Sequence, residues 1–142
     1  MPLQDFPVRL ALPVLWGNQD LFGHVNNCVH IRWFESSRVA YWEQGMRAVM
    51  DPHDWGPILA HVTCHYRYQI HYPDTVHVGA RIVKLGNTSL KMEHAVYSEN
   101  ADRIVADGDS VVVIFNYKTQ RPTRISEELR DVIEATEGHP LP

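Results

Sequence analysis

An α+β fold, an antiparallel sheet wrapped around one long helix, is predicted for this 142-residue chain by three observations. Early in the chain the apolar residues change from every second position to every third or fourth, and later they change back. Two turn clusters, Gly86-Asn87 and "ENADR" at 99–103, lie between alternating runs, the pattern of strands joined as hairpins. Only one segment is long and apolar enough to cover such a sheet.

Residues 8–16, "VRLALPVLW", alternate with Val8, Leu10, Leu12, Val14 and Trp16 on one face, and Pro13 marks an edge or bulge. Residues 27–47 take helical spacing. Cys28, Ile31, Glu35, Val39, Trp42 and Met46 fall within a sector of roughly 80°, and Val29, Trp33 and Ala40 form a second apolar patch. A helix covered on more than one side is expected. The breaker-rich stretch 48–57 reads as a loop. Residues 58–70, "ILAHVTCHYRYQI", then place Val62, Cys64, Tyr66, Tyr68 and Ile70 on one face of a strand and His61, Thr63 and His65 on the other. A turn at Tyr72-Pro73-Asp74 leads to a strand over 75–85. The Gly86-Asn87 hairpin returns it through "TSLKMEHAVYS", and a last long strand over 103–117 bends at Gly108. Ser126 stands as N-cap of a short terminal helix with Leu129, Val132 and Ile133 on its apolar face. The expected order is strand, long helix, four strands joined by hairpins, short helix, in a single domain spanning 1–142.

A net charge of −4 argues against nucleic acid as a partner. No apolar run is long enough to span a membrane, and the N-terminal residues lack the pattern of a signal peptide. Two cysteines, Cys28 and Cys64, are too few for a disulfide framework and read as reduced core thiols, so a cytoplasmic location is expected. His61 and His65 share a strand face, but about 13 Å separates them in an extended chain, too far for one ion. No metal or other cofactor is expected.

The polar chemistry gathers in "DLFGHVNN", residues 20–27, where the long helix begins. Taken alone, Asp20 and Asn26 could simply turn and cap the chain. Glu35 is the second signal, a carboxylate between Ile31 and Val39, which needs a partner such as Arg38.

The element order together with this loop resembles the hotdog-fold thioesterases, and in particular the 4-hydroxybenzoyl-CoA thioesterase-like acyl-CoA thioesterases. The likeness runs through the Asp-x-x-Gly loop, the helix "VHIRWFESSRVAYWE", the "LGNTSL" hairpin and "TQRPTRISEELR". It implies that Asp20 carries the chemistry and that a backbone amide near Asn26 and Asn27 serves the developing oxyanion. Plant-type acyl-carrier-protein thioesterases have a similar Asp–Asn–His loop. Asp20 and His24 match it, but Phe22 stands where that Asn would be. A carboxylate can attack a thioester directly or deprotonate water, and a helix's first turn offers free N–H groups to the oxyanion. Gly23 would let Asp20 fold over the helix start. Glu35, His61 and Thr63 become candidate substrate-lining residues, the latter two across a subunit interface. Ser89 becomes a contact for the pantetheine region. Arg67, Arg81, Lys84, Lys91 and Arg121 are candidates for the coenzyme A phosphates. The expected substrate is an acyl-CoA or acyl-carrier-protein thioester, and the expected assembly a homodimer or homotetramer. A non-catalytic acyl-CoA binding module on the same fold is the alternative.

Overall fold

The first strand, β1 (Val8–Pro13), stops at its proline, which has no N–H to extend a ladder. In the computed structural model, which describes residues 2–50 and 54–142, the chain then turns through a 3-10 segment, Trp16–Asn18. Trp16 is 73% exposed, so the alternation that reaches it overshoots the strand. The long helix α1 runs Asn27–Glu43, ending before residue 47 because a separate 3-10 turn occupies Met46–Val49. Then come β2 (Trp55–Val62), β3 (His65–Tyr66), β4 (Thr75–Leu85), β5 (Ser89–Ser98), β6 (Arg103–Asn116), β7 (Arg121–Pro122) and α2 (Glu127–Glu137). The loop expected over 48–57 yields its last residues to β2, and its positions 51–53 lie outside the described residues.

The sheet is antiparallel in the order β1-β4-β5-β6-β2, with β3 and β7 also pairing β6. β4–β5 and β5–β6 are the two expected hairpins. The remaining hairpin expectation is corrected: β2 pairs β6 rather than β4, so the chain crosses the sheet before β4 begins. The strand expected over 58–70 is also broken. At its centre the Thr63 carbonyl passes directly over Gly108, where a Cβ would sit 2.0 Å from that oxygen. Only a residue without a side chain allows this crossing. Beyond it, Tyr66 and Tyr68 are about half exposed instead of facing a core.

α1 packs across β1, β4 and β5 and buries His30, Trp33, Phe34, Ser37 and Tyr41. Half of the face predicted to be its main apolar stripe points outward: Cys28, Glu35 and Val39 are exposed, Ile31 and Trp42 are half-buried, and Met46, beyond the helix, is buried. Polar residues occupy the buried face because their bonds are made there. His94, on β5, is 1% exposed. Its Nε2 lies 2.8 Å from Ser110 Oγ and its Nδ1 lies 2.9 Å from Ser37 Oγ, while the Ser37 hydroxyl donates to the Phe34 carbonyl at 2.8 Å. With the Ser37 proton committed, Nδ1–H must donate to Ser37 and Nε2 must accept from Ser110. Phe34 stacks on the ring at 4.8 Å between centroids. Burial, reinforced by the Arg38 charge, pushes the His94 pKa down to about 3.

α2 closes one end. Ser126 caps it through the Leu129 N–H, Gly138 ends it at φ 83°, and Leu129 and Ile133 are buried. Glu137 accepts from the Tyr41 hydroxyl and from the Ile82 N–H, tying α2 to α1 and β4. Of the two expected core thiols, Cys28 is exposed, whereas Cys64 is half-buried against the core, and both are free. No helix among the described residues is long and apolar enough to cross a membrane.

Candidate active site

The loop before α1 is a tight turn pinned at both ends. Asp20 N–H donates to the His24 carbonyl at 3.0 Å, and Gly23 N–H donates back to the Asp20 carbonyl at 3.1 Å. Gly23 holds φ at 84°, a conformation that glycine adopts without penalty. Val25 N–H is anchored on the Ile70 carbonyl and Asn26 N–H on the Asn18 carbonyl. His71 Nδ1 donates to the Gly23 carbonyl at 3.1 Å, securing the outside of the turn. Within it, Asp20 Oδ1 accepts the Phe22 N–H at 2.9 Å. The other oxygen, Oδ2, lies 4.0 Å from His24 Nδ1, and both side chains are partly exposed. One carboxylate oxygen thus orients the group and the other stays available.

Asn26 is the N-cap of α1. Its Oδ1 accepts the Cys28 N–H at 2.9 Å and its carbonyl accepts the Val29 N–H at 3.0 Å. The Asn27 N–H has no acceptor among the described residues, so it remains for an external oxygen at the positive end of the helix. The Asn27 carbonyl is held by the Tyr66 hydroxyl at 2.8 Å. Asp20, His24, Asn27, His30, Tyr66 and Ile70 line one cleft of about 310 Å³ here.

Five of the sequence-predicted site residues therefore meet at this place: Asp20, Gly23, His24, Asn26 and Asn27. Arg67, expected as a phosphate contact, also lines the cleft, paired with Asp107 at 3.0 Å, whereas Glu35, His61, Thr63 and Ser89 do not reach it within one chain. His61 is exposed on the edge strand β2, Thr63 bonds Asp109 through its hydroxyl, and Ser89 opens β5 opposite Val113. The expected pairing of Glu35 is corrected. Glu35 is surface-exposed and pairs with Arg32 at 3.2 Å, not with Arg38. Glu35 and Arg38 both border an apolar cavity of about 390 Å³ between α1 and β2, with Val39, Trp42, Leu59 and Met92 among its walls. Arg38 is the more enclosed of the two. Its Nη1 is the one buried side-chain nitrogen or oxygen without a partner among the described residues. Burial lowers the Arg38 pKa, and the nearby Glu35 charge opposes that shift.

Among the cleft residues missed from sequence are His30 and Tyr66. His30 carries no signal of its own in the sequence, though its place one helical turn after the cap could have flagged it. Tyr66 lies far along the chain and is delivered by the pairing of β3 with β6. Burial lowers the His30 pKa, against the pull of the Asn26 and Asn27 carbonyls. The Tyr66 pKa is raised to about 12, first by burial and then by its cysteine neighbours, so its hydroxyl stays protonated on the Asn27 carbonyl. No three His, Cys, Asp or Glu side chains converge as a metal site among the described residues.

A curled antiparallel sheet around one long helix, with an acid-bearing turn over the helix start, is the hotdog architecture, and the protein is of the thioester hydrolase class. The family model described as the thioesterase-like superfamily matches residues 14–133, and the chain belongs to that family. Among solved structures, a thioesterase complexed with coenzyme A and Zn from Thermus thermophilus is 33% identical, with a TM-score of 0.86 over 97% of this chain and 99% of that one. A thioesterase superfamily protein from Jannaschia sp. CCS1 is 28% identical, with a TM-score of 0.82 over 94% and 85% of the two chains. A 1,4-dihydroxy-2-naphthoyl-CoA thioesterase from Synechocystis, at 11% identity, shares the fold, with a TM-score of 0.77 over 89% of this chain and 94% of that one. No curated protein matches the chain.

Proposed function

We propose that the protein hydrolyses acyl-CoA thioesters, with Asp20 as nucleophile or general base and the Asn27 N–H as an oxyanion donor. The observation that carries this is the juxtaposition in one cleft of a carboxylate with one free oxygen and a helix N–H without an acceptor. The thioester carbonyl would sit with its oxygen on the helix start, where the fixed dipole favours negative charge, and its carbon facing Asp20. Tyr66 and Asn26 hold that donor rigid, so no reorganisation is needed as charge develops. Coenzyme A bound to the Thermus thermophilus relative supports a CoA thioester as substrate, over an acyl-carrier-protein thioester or a purely binding role. Two unpaired cysteines suit a cytoplasmic location.

The test is Asp20→Asn, whose amide still accepts the Phe22 N–H but is neither base nor nucleophile. Turnover should fall by about two orders of magnitude or more, with binding of a non-hydrolysable CoA thioether retained. Wild-type turnover in the variant would reduce Asp20 to a turn residue.

We also propose a homodimer or homotetramer. The edge strand β2 leaves Ile58 and Leu59 about 40% exposed, Val39 on α1 is 53% exposed, and the buried Arg38 Nη1 lacks an acceptor. A second copy against this side would cover the apolar surface and could supply that acceptor. It would also be the route by which His61 or Thr63 enters a site.

A further inference from the structure

We infer that His30 presents its Nε2 to the cleft as an acceptor that orients the water consumed in hydrolysis. This role rests on the hydrolase reading of Asp20 and deepens it. His30 is 4% exposed, yet it lines the same cleft as Asp20 and Asn27. Its ring is fixed on three sides. Tyr66 meets it edge-on at 4.9 Å and 85°, Trp33 packs at 5.3 Å, and Nδ1 lies 3.3 Å from the Asn26 carbonyl. A carbonyl only accepts, so Nδ1 carries the proton and Nε2 carries a lone pair.

That nitrogen is bonded by no described residue. It is not sealed off either, since Arg38 Nη1 is the one described side-chain nitrogen or oxygen that is both buried and partnerless. Nε2 therefore keeps access to the cleft. A ring locked in one tautomer and kept neutral by its burial has no proton to give to a leaving thiolate. What it can do is accept. In hydrolysis one O–H of the water gives its proton to Asp20, which passes it to the leaving thiolate; if Asp20 attacks first, the thiolate leaves as the anhydride forms, and the water that then cleaves the anhydride gives its proton to the Asp20 carboxylate as it is released. In both routes the second O–H needs an acceptor that aims the oxygen lone pair at the carbonyl carbon, and His30 takes no proton while providing it. Its contribution is to turnover and not to binding.

His30→Asn separates this role from a structural one. The shorter amide can keep an N–H toward the Asn26 carbonyl but has nothing at the position of Nε2. Wild type, His30→Asn and Asp20→Asn would be compared for hydrolysis of a panel of alkyl and aryl CoA thioesters. Thermal melts and calorimetric binding of a non-hydrolysable CoA thioether complete the set. The expected result is a kcat at least about tenfold lower in His30→Asn, with thioether affinity and fold retained. Wild-type kcat in His30→Asn beside an inactive Asp20→Asn overturns the role of His30 alone. An inactive wild type, or an active Asp20→Asn, overturns the Asp20 reading and the role of His30 with it. If His30→Asn does not fold, ¹⁵N spectra of the wild-type histidines decide. An unprotonated Nε2 at neutral pH that shifts when the thioether displaces cleft water supports the assignment. A protonated or unresponsive Nε2 ends it.

Discussion

Acidification should weaken the fold through His94 well before the carboxylates titrate. The ring is enclosed, both nitrogens are committed to Ser37 and Ser110, and Arg38 opposes a second positive charge. Its pKa is pushed down to about 3, against 6.5 for an unfolded histidine. Between those values the unfolded chain binds a proton that the folded chain refuses. Stability is thus fully present above pH 6.5 and falls as the pH drops toward 3. The slope is about 1.4 kcal/mol per pH unit, so lowering the pH from 6.5 to 5 removes about 2 kcal/mol. His30, also lowered by burial, adds in the same direction. His94→Gln supplies the control, because an amide cannot charge. It carries a fixed cost of about 2–4 kcal/mol for lost packing and hydrogen bonds, but its stability should depend less on pH. Urea unfolding at half-unit steps from pH 5 to 8 measures both lines. The wild-type line should be steeper below pH 6.5 by nearly one proton's worth, and parallel lines would refute the reasoning.

Gly108→Ala places a methyl 2.0 Å from the Thr63 carbonyl oxygen and 2.8 Å from its carbon, both backbone atoms that no rotamer change can clear. A loss of at least about 3 kcal/mol is expected, read as a lowered urea midpoint. Asn26→Ala removes the acceptor of the Cys28 N–H and should cost about 1 kcal/mol in thermal melts, with a smaller fall in turnover than Asp20→Asn. Leu59→Asp puts a charge on the exposed edge strand β2 and should shift sedimentation toward monomer at micromolar concentration. An unchanged oligomer would move the interface elsewhere.

The segments legible from sequence are those whose neighbours in the chain are also their neighbours in space. β4, β5 and β6 largely alternate between tight turns, with one register shift in each ladder, so their hairpins follow from local signals alone. α2 is announced by Ser126 and closed by Gly138. The same holds for the candidate site: Asp20, Gly23, His24, Asn26 and Asn27 lie within eight consecutive positions. Where distant contact decides, the local pattern fails. Gly108 is visible in the sequence, but the carbonyl that needs its missing side chain is not, so the bend lands in the wrong strand. The crossing from β3 to β4 depends on β2 choosing β6, which no turn residue encodes.

The orientation of α1 shows why hydrophobic spacing alone misassigns a face. Two apolar patches run along the helix, and counting favours the one that holds Val39, Trp42 and Met46. The sheet takes the other, on which His30 and Ser37 stand. A buried polar group is unfavourable only while unbonded, and here each donor of the face has its acceptor. His94 donates to Ser37, Ser37 donates to Phe34, and His30 donates to Asn26. Once those bonds are counted, the polar face is a good inner face, and of the apolar stripe Met46 is buried, Trp42 is half-buried and Val39 is left outside near Ile58 and Leu59. Glu35 follows the same rule in reverse. Among apolar neighbours it seemed to need a buried partner, but its part of the stripe faces outward and Arg32 meets it at the surface. Of the inward polar residues His30 stands at the cleft and Ser37 in the core, and the exposed apolar residues mark the side a second chain would cover in the proposed assembly.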